Sequence, residues 1–536
     1  MKHLMIVVPE GRSKEAYQGL AAEALEPPAK ARFVASYLLR RGVGVDLFDA
    51  SGSSLEPEEV AEKAVAAKPN LVLLPVYGFN PSSSTQTMPS GRVLAEAIKN
   101  LSPQTPIIIM GTHPSAVPGY TLETEPAVDF VCGGEGPITI YKLLEAIKAG
   151  GRAEELRKVR SLWFREDDSV VDTEPASLVD LNQEPISREA WQLMPPKKYR
   201  AHDWHTFWRP IEERYGYANP YSREGCPFHC GFCNIQAPYR EGELVQFQSG
   251  LLKSGQNSYR TLSPELFLEE LTFLVEEFGV KYVKIPDEMF GLGSHPIQLA
   301  TLIRDRFGDF LNIWCYYRVD TCNPKHLELL RSAGFRWLSL GIEAANSQVR
   351  SGQDKSFADE RIYEVVKQME SAGIECAANY IFGLPGDTME SMETTFKLAK
   401  ELNTPFVNFY CNQALPGSQQ YQEALASGYP LPQREGGPGW IGHAQYGLDT
   451  EPYHQGEALL PVQILAFRDW AQAAYYEHPE YLSKLASDPK FGEKALTVVR
   501  EKVSGIKSLK RRLLGGRSFW ELPAEEKLKL VPISVK

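Results

Sequence analysis

Residues 224–234 read Glu-Gly-Cys-Pro-Phe-His-Cys-Gly-Phe-Cys-Asn and carry Cys226, Cys230 and Cys233 in a C-x3-C-x2-C pattern. Gly231 allows this loop to turn tightly, and Phe232 places an aromatic ring beside the last cysteine. Thiolates at this spacing can reach one metal centre from a short loop without distorting the backbone. Only eight cysteines occur in the 536 residues, so three in one loop argues against chance. The stretch therefore predicts a metal site.

The number of thiolates indicates which metal site to expect. A closed structural zinc site needs four ligands, and His229 is the fourth ligand that this loop offers. The spacing Cys-x2-His-Cys-x2-Cys is more compact than the usual pair-plus-pair zinc pattern. A [4Fe–4S] cluster held by three cysteines instead leaves one iron open for a small molecule. We expect such a cluster; a zinc knuckle or a group of buried thiols is the alternative.

Residues 216–415 alternate between apolar strands and amphipathic helices, which predicts a series of βα units. Six strands with five or six helices predict a partial (β/α)6 barrel of the TIM type, whose active site lies at the carboxyl ends of its strands. The predicted strands are 217–222, 282–285, 313–317, 337–341, 375–382 and 407–411, and the predicted helices are 264–279, 296–306, 325–333, 359–373 and 388–402.

This combination resembles the radical SAM enzymes. The cysteine loop matches their signature C-x3-C-x-aromatic-C, and Leu340-Gly-Ile-Glu343 and Phe382-Gly-Leu-Pro-Gly-Asp387 match segments of members that carry cobalamin domains. The resemblance implies that S-adenosyl-L-methionine (SAM) binds the open iron. One electron then cleaves SAM into methionine and a 5′-deoxyadenosyl radical, which abstracts a hydrogen atom from the substrate.

Polar residues at the predicted strand ends are our candidates for SAM contacts. The amino group of SAM needs a carboxylate, its carboxylate needs a cation and its ribose needs a paired acceptor. Asp287 or Glu288 is the candidate for the amino group, Glu343 and Arg318 are candidates for ribose and carboxylate, and Gly383 leaves room for adenine. Phe232 and Asn379 complete the predicted set. Each residue taken alone is as consistent with a surface charge or an interstrand salt bridge.

The first 150 residues predict a second α/β unit. Continuous apolar strands at 4–8, 45–48, 71–76, 107–110 and 129–132 alternate with helices at 28–41, 57–68, 91–100 and 138–148. Such strands form a parallel sheet covered on both faces, here a Rossmann-like (flavodoxin-like) domain. Ligands of these sheets bind at the carboxyl ends of the strands. Those ends carry polar, glycine-rich loops at 77–90, 111–115 and 133–137.

This unit resembles the cobalamin-binding domain that precedes many radical SAM domains. The resemblance rests on Pro27-Pro28, on Gly111-Thr-His and on the stretch 129–136, Asp-Phe-Val-Cys-Gly-Gly-Glu-Gly. The predicted cobalamin contacts are Ser82, Ser83, Ser84, Thr85, Gly111, Thr112, His113, Gly134, Glu135 and Gly136. The D-x-H-x-x-G motif, whose histidine binds cobalt in other cobalamin proteins, is absent after the first strand. We therefore expect no histidine lower ligand, and His113 either contacts the nucleotide tail or packs.

Two further segments complete the predicted organisation. Residues 151–215 are a connector with a hairpin near 162–172, in which Trp204, Phe207 and Trp208 pack between domains or form a substrate wall. Residues 416–536 are a mainly helical C-terminal cap, with helices at 461–476, 492–503 and 507–514. The aromatic and histidine-rich stretch 430–460 either holds substrate over the barrel mouth or belongs to a packed helical domain.

Composition limits the partners that we expect. The formal net charge of −11 disfavours nucleic acid. No signal peptide or apolar run long enough to span a bilayer appears, and the other cysteines stand singly, which favours the cytoplasm. A small molecule, a peptide or a lipid remains open as substrate. The family resemblance also implies an external reductant of the flavodoxin or ferredoxin type.

The resemblance to this family implies methylation of an unactivated carbon, with the methyl group carried on cobalamin and supplied to it by a second use of SAM. This path requires no general acid or base, so we assign none. The alternatives are a non-methylating enzyme of the same architecture (oxidative cyclisation or ring contraction), a radical SAM enzyme without cobalamin, and a sensor without turnover.

Overall fold

The structure is a computed structural model that describes residues 3–10, 24–53, 55–78, 83–239, 257–429, 431, 453–454 and 458–532. Two sheets dominate the described residues. A seven-stranded sheet lies at the N-terminus and a six-stranded sheet follows it, with a two-stranded ribbon beside the second sheet. The α/β fold class that the sequence predicts is confirmed.

The N-terminal sheet has the strand order β2-β1-β3-β4-β5-β6-β7. Its first five strands are parallel, with Leu4 of β1 facing Val45 on one side and Leu71 on the other. The hairpin of the connector then extends the sheet by two antiparallel strands. The strands are His3–Val8 (β1), Gly44–Asp49 (β2), Leu71–Pro75 (β3), Ile107–Met110 (β4), Phe130–Cys132 (β5), Leu162–Glu166 (β6) and Ser169–Asp172 (β7).

Helices cover both faces of this sheet, as the buried strands require. They are Ala29–Leu39 (α1), Pro57–Ala66 (α2), Ser84–Leu101 (α3), Thr112–Ala116 (α4), Pro118–Thr124 (α5), Pro137–Lys148 (α6) and Ala153–Leu156 (α7), and Arg188–Leu193 (α8) follows the hairpin. The helix predicted at 91–100 begins earlier, at Ser84, and contains Pro89. Residues 84–88 are buried, so packing outweighs the polar, proline-containing sequence that predicts a loop there.

The second sheet is the predicted partial barrel. Its strands are all parallel, in the order β15-β14-β13-β12-β11-β8. They are Tyr217–Ala218 (β8), Tyr282–Ile285 (β11), Asn312–Arg318 (β12), Phe335–Glu343 (β13), Glu375–Phe382 (β14) and Phe406–Cys411 (β15), and Arg223–Gly225 (β9) pairs antiparallel with Tyr259–Thr261 (β10) as the ribbon.

Five helices of the barrel lie within two residues of their predicted bounds, and two short ones, Ser347–Ser351 and Gln419–Ser427, were not predicted. Ser263 caps the first of the five by accepting a hydrogen bond from Leu266 N, and Gly279 ends it in the left-handed conformation. The helices are Pro264–Phe278 (α9), His295–Phe307 (α10), Leu327–Ser332 (α11), Ser347–Ser351 (α12), Asp359–Ser371 (α13), Met389–Leu402 (α14) and Gln419–Ser427 (α15).

A cluster of tryptophans closes the amino end of the barrel, opposite the cysteine loop. Trp204 stacks on Phe406 with ring centroids 4.9 Å apart and meets Trp314 and Trp337 edge-on at 5.1 Å. Asn312 Nδ2 donates to the carbonyl of His205 at 2.8 Å, which ties this plug to β12. The connector aromatics therefore form the floor of the barrel rather than a substrate wall.

The C-terminal helices protect the open edge of the barrel. They are Pro461–Tyr476 (α16), Pro479–Ser487 (α17), Gly492–Ser508 (α18) and Ala524–Leu530 (α19). Gln472 Oε1 of α16 accepts from the backbone N–H of Phe409, and the Tyr476 hydroxyl lies 3.2 Å from the N–H of Val407. Side chains thus occupy hydrogen-bonding positions that an additional strand would use along β15.

The C-terminal region differs from its prediction at one helix. The helix predicted at 507–514 is only a short 3-10 turn over 512–514, since the preceding helix ends at Ser508. The predicted cap residues Trp440, His443 and Tyr446 lie outside the described residues, whereas Tyr453 and His454 lie inside them. Throughout the described part of the chain, no helix has the length and apolarity that crossing a membrane requires.

Replacing Trp204 with alanine is expected to destabilise the protein by about 3–5 kcal/mol, because it opens a cavity among three large aromatic rings. The urea midpoint of the purified protein measures this loss. Phe310, which is 53% exposed, provides the control. A Phe310→Ala variant should unfold at nearly the wild-type midpoint, and an equal loss in both variants would contradict the proposed floor.

Candidate active site

The cysteine loop lies at the carboxyl end of the barrel and is held at several points. Gly225, just before it, has φ +86°, and a Cβ there would lie 2.1 Å from the carbonyl oxygen of Ser258. Only glycine fits this approach of the ribbon to the loop. Four hydrogen bonds hold the backbone of the loop. Three of its carbonyl groups accept, that of Cys226 from the Gln236 side chain at 2.8 Å, that of Phe228 from the Asn257 side chain at 2.6 Å and that of Gly231 from the backbone N–H of Gln420 at 3.0 Å. The backbone N–H of His229 donates to the Asp354 carboxylate at 3.0 Å.

The three thiols of this loop differ from the other five cysteines. Cys226, Cys230 and Cys233 are partly exposed, whereas the remaining cysteines are buried. Burial of its sulfur nevertheless raises the pKa of Cys226 to about 12. A free thiolate is disfavoured in this setting, and a cationic iron centre would supply the missing stabilisation.

The chemistry of the loop suits an iron–sulfur cluster, because three cysteines of one loop can each bind a different iron. Within the described ranges, no three His, Cys, Asp or Glu side chains are arranged to hold one metal ion. The His229 side chain is exposed, and only its backbone N–H is bonded, to Asp354. His229 is the fourth ligand that the zinc alternative needs, and its exposed side chain gives that alternative no support.

The structure separates the two neighbouring acids at the end of β11. Asp287 accepts hydrogen bonds from Ser222 N at 2.8 Å, Ser222 Oγ at 2.5 Å and Arg223 N at 3.0 Å, and its burial raises the pKa to about 7. It therefore holds the chain that enters the cysteine loop. Glu288 accepts from Gly225 N at 3.1 Å, and its Oε1 is buried without a hydrogen-bond partner among the residues that the structure describes. Glu288 is the one of the pair that retains an oxygen for a ligand.

Glu343 lies at a strained position at the end of β13. Its φ of +64° is unusual for a residue other than glycine, and the pairing of β13 with β14 is irregular between Gly341 and Glu343. The carboxylate forms a buried ion pair with Lys355 Nζ at 2.5 Å. Lys355 is absent from the sequence-based set because its loop carries no motif.

Arg318 ends β12 beside the cysteine loop. Its Nη1 lies 3.5 Å from Cys230 Sγ, and its guanidinium forms a two-point pair with Asp320. The ring of Phe228 lies 3.8 Å from the guanidinium carbon. The predicted cation is therefore at the site, in contact with a cysteine sulfur.

The remaining predicted SAM contacts surround the same end of the barrel. Phe232 packs against Ala344, Val349 and Leu384. Asn379 belongs to a polar row across three strands, donating to Ser339 Oγ at 2.9 Å and accepting from Asn408 at 2.8 Å. Gly383 has φ +82°, and a Cβ there would lie 2.6 Å from Ile464 of α16. The space beside Gly383 thus belongs to an apolar side chain, which we did not expect from the sequence.

A cavity lies between the two sheets. Tyr77 and Gly78 follow β3, Pro28 and Lys30 lie at the start of α1, and Tyr221 precedes the cysteine loop; all of them line it. The carboxyl ends of both sheets therefore face one shared space.

The predicted cobalamin contacts meet at the carboxyl ends of β3, β4 and β5. Ser84 Oγ accepts from His113 N at 3.0 Å, and His113 Nδ1 lies 3.1 Å from Thr85 Oγ1. Burial lowers the pKa of His113 to about 3, so the imidazole is neutral. Within the described part of the chain, the buried Thr112 Oγ1 has no hydrogen-bond partner. Gly111 approaches closely, since a Cβ there would lie 2.5 Å from Val76 O.

The other members of that set flank these residues. Ser83 precedes α3, and Gly134 lies against Ser161. Gly136 has φ +113°, and Glu135 pairs with Arg260 of the barrel and accepts from Val179 N at 2.9 Å. Ser82 lies outside the described residues. The Thr112 hydroxyl, which is buried without a hydrogen-bond partner among the described residues, fits a polar ligand such as cobalamin.

A buried lysine links the two halves of the site. Lys30 of α1 forms an ion pair with Glu224, two residues before Cys226, and donates to the Tyr239 hydroxyl at 2.7 Å. Its Nζ also lies 4.2 Å from the ring centroid of Tyr221. Nearby, Glu26 pairs with Lys284 at 2.9 Å inside the barrel. The N-terminal domain therefore contacts the strand from which the cysteine loop begins.

Comparison with known families accounts for both halves. Residues 19–144 match the family profile described as B12 binding domain, and residues 222–399 match that of the radical SAM superfamily. The chain is a radical SAM enzyme with a B12-binding domain. The resemblance noted from the sequence is thus confirmed.

Individual relatives agree with this assignment. A Pyrococcus horikoshii protein named uncharacterized methyltransferase is 25% identical over 428 residues, 80% of this chain and 84% of its own length. The anaerobic magnesium-protoporphyrin IX monomethyl ester cyclase of Rubrivivax gelatinosus is 24% identical over 74% of this chain and 66% of its own length. The radical SAM methyltransferase TsrM from Kitasatospora setae, solved with cobalamin and a [4Fe–4S] cluster, shares the fold, with TM-score 0.59 and 16% identity over 80% of this chain and 75% of its own.

Three residues of this radical SAM enzyme escaped the sequence reasoning, namely Lys30, Lys355 and Glu224. Lys30 stands on an ordinary helix, Lys355 in a loop without a motif, and Glu224 next to the signature but outside its defining positions. Only Lys30 carries a signal of its own, because it is a lysine in the buried first turn of a helix. Lys30 and Glu224 are 194 residues apart and Lys355 lies 12 residues after Glu343, with no motif joining either pair, so only the folded chain reveals these contacts.

Alanine at any one of Cys226, Cys230 or Cys233 is expected to abolish iron–sulfur loading, because the cluster loses a thiolate. Iron and sulfide content and iron–sulfur absorbance after anaerobic reconstitution measure this. Cys322→Ala removes a buried thiol outside the loop and should keep wild-type iron. Normal iron content in the loop variants would contradict the assignment.

Replacing Lys30 with methionine is expected to cost about 3–5 kcal/mol, because the Glu224 carboxylate is left buried without its counterion. Urea unfolding of the Lys30→Met protein measures the loss, and the double variant Lys30→Met with Glu224→Gln should recover much of it. Lys142→Met removes an exposed pair with Glu145 and should change stability by less than about 1 kcal/mol. Equal effects of both lysine changes would argue against a buried bridge.

Proposed function

We propose that this protein is a cobalamin-dependent radical SAM methyltransferase that methylates an unactivated carbon of its substrate. The observation that carries the proposal is a cavity between the two sheets, which Tyr77 and Gly78 line from the end of β3 and Tyr221 and Pro286 line from the barrel. A methyl carrier held at one edge and a radical generator held at the other can act on the same substrate.

The two cofactors would supply different parts of the reaction. When bound, the [4Fe–4S] cluster supplies the electron that cleaves SAM to methionine and a 5′-deoxyadenosyl radical, and cobalamin supplies the methyl group. Cys226, Cys230 and Cys233 would hold the cluster. An external reductant of flavodoxin or ferredoxin type would provide the electron.

The protein side chains bind and orient SAM in this proposal. Glu288 has the free carboxylate oxygen that the amino group of SAM requires. Lys355 and Glu343 offer a cation and an acceptor at the end of β13, which β12 separates from β11. The floor formed around Trp204 seals the far end of the barrel, which keeps water from reaching a radical through that end.

On the B12-binding side, the chain offers neutral groups. Ser84, Thr85, Thr112 and the neutral imidazole of His113 would contact the nucleotide end of cobalamin. Gly111 lets the backbone beside them pack closely against Val76. His113 already contacts Thr85, which supports a role in packing or tail binding. It does not support a role as a lower ligand of cobalt.

A non-methylating reaction is the second candidate, because one relative is named a cyclase. Both candidates use the same cofactors but differ in products. Methylation consumes a second SAM and releases S-adenosylhomocysteine, whereas oxidative cyclisation releases 5′-deoxyadenosine without it. The substrate class stays open between a small molecule, a peptide and a lipid.

We expect protein produced anaerobically with cobalamin to show corrinoid absorbance and, with SAM and a reductant, to form 5′-deoxyadenosine. Reactions with substrate should also yield S-adenosylhomocysteine. The Cys230→Ala variant should form neither product, and Cys322→Ala should form both.

Three results would decide against parts of this proposal. Protein without corrinoid bands would exclude cobalamin. Formation of 5′-deoxyadenosine with substrate turnover but without S-adenosylhomocysteine would favour the non-methylating reaction. Continued 5′-deoxyadenosine release by Cys230→Ala would exclude the cluster.

A further inference from the structure

We propose that Arg318 is a positioning residue for the iron–sulfur cluster, which holds the Cys230 sulfur by a hydrogen bond and raises the reduction potential of the cluster. This inference rests on the proposed function, since it requires a [4Fe–4S] cluster on the cysteine loop. It differs from the role in binding the SAM carboxylate that the sequence suggests for Arg318.

The contact with sulfur is direct. Arg318 ends β12, is 7% exposed and points Nη1 at Cys230 Sγ, 3.5 Å away. This distance is within hydrogen-bonding range for a sulfur acceptor. A charged donor strengthens the bond when the sulfur is a thiolate.

Other contacts hold the guanidinium in this orientation. Nε donates to Asp320 Oδ1 at 2.9 Å, and Nη2 donates to Asp320 Oδ2 at 2.8 Å and to Asp354 O at 2.6 Å. The ring of Phe228, which lies within the cysteine loop, stacks on the guanidinium at 3.8 Å. Four of the five N–H donors of this planar fork therefore have acceptors. Turning toward a different ligand would break the two-point pair with Asp320.

The same contacts tie the arginine to the loop from two sides. Asp354 also accepts from the backbone N–H of His229 through its side chain, at 3.0 Å. Phe228 and Cys230 flank His229 in sequence. Arg318 and Asp354 thus form one support under the middle of the cysteine loop.

The electrostatic consequence has a definite sign. Reduction adds negative charge to the cluster, and hydrogen bonds to its sulfurs stabilise the reduced form. Asp320 offsets part of the arginine charge, but its side chain is 33% exposed and is therefore screened by water. The net effect of Arg318 is to make reduction of the cluster by the external reductant easier, at the expense of driving force for the later transfer of the electron from the cluster to SAM.

Two substitutions separate this role from SAM binding. Arg318→Met keeps the length and apolar stem but removes the donors and the charge. We expect the equilibrium constant for cluster reduction to fall about tenfold, or about 59 mV for one electron, with SAM affinity within about twofold of wild type. Asp320→Asn leaves Arg318 in place without its counterion, and the potential should rise.

The measurements are a redox titration followed by electron paramagnetic resonance and equilibrium binding of SAM, both on the anaerobic holoprotein. Arg304→Met removes an exposed arginine of α10 and should leave the potential unchanged. An unchanged potential in Arg318→Met with a large loss of SAM affinity would overturn the inference and assign Arg318 to the SAM carboxylate. Should Arg318→Met fail to load iron, Arg318→Lys decides, because lysine keeps the charge but not the planar fork that reaches both Asp320 and Cys230. A lowered potential in Arg318→Lys supports the inference, and an unchanged one overturns it.

The failure of the proposed function is distinguishable. Wild-type protein that never shows the signal of a reduced [4Fe–4S] cluster refutes the cluster and this inference together. A normal wild-type signal with unmoved potentials in both variants refutes only the role of Arg318.

Discussion

The buried ion pair between Lys30 and Glu224 is the contact on which the arrangement of the two domains depends. Burying a charge is costly unless a partner neutralises it, and these two side chains come from different domains. Glu224 lies in the ribbon strand that leads into the cysteine loop, so the position of that loop depends on the N-terminal domain. Two similar contacts, between Glu26 and Lys284 and between Glu135 and Arg260, extend the same interface. Separation of the domains would pull all these charges away from their partners at the same time.

The sequence predicts the repeating parts of this architecture well. Continuous apolar strands and capped helices carry their own signals, so both parallel sheets follow from the chain itself. Sequence reasoning failed where burial overrides local preference, as at residues 84–88, where a polar stretch with a nearby proline forms the start of a helix. It also gave no indication that the connector hairpin adds two strands to the N-terminal sheet.

In the candidate site, too, the sequence indicates some of the residues and only the fold identifies the others. The three cysteines stand close together in sequence, and their spacing alone indicates their chemistry. The acids at the end of β11 are adjacent in sequence and of the same type, yet Asp287 anchors the chain whereas Glu288 keeps an unpartnered oxygen. They differ because Asp287 faces Ser222 and Arg223, whereas Glu288 faces Gly225. Lys355 and Lys30 act through partners that no sequence pattern brings together, so only the folded structure identifies them.

The side chains of α16 along the last barrel strand have a consequence for synthesis of the protein. Gln472 and Tyr476 occupy the outer edge of β15, and both belong to a helix made well after that strand. While a nascent chain leaves the ribosome, the edge of β15 is exposed until this helix arrives. An exposed strand edge can pair with another chain. Premature termination before residue 461 would leave the edge open permanently, and such fragments would be prone to aggregate even though all six barrel strands are present.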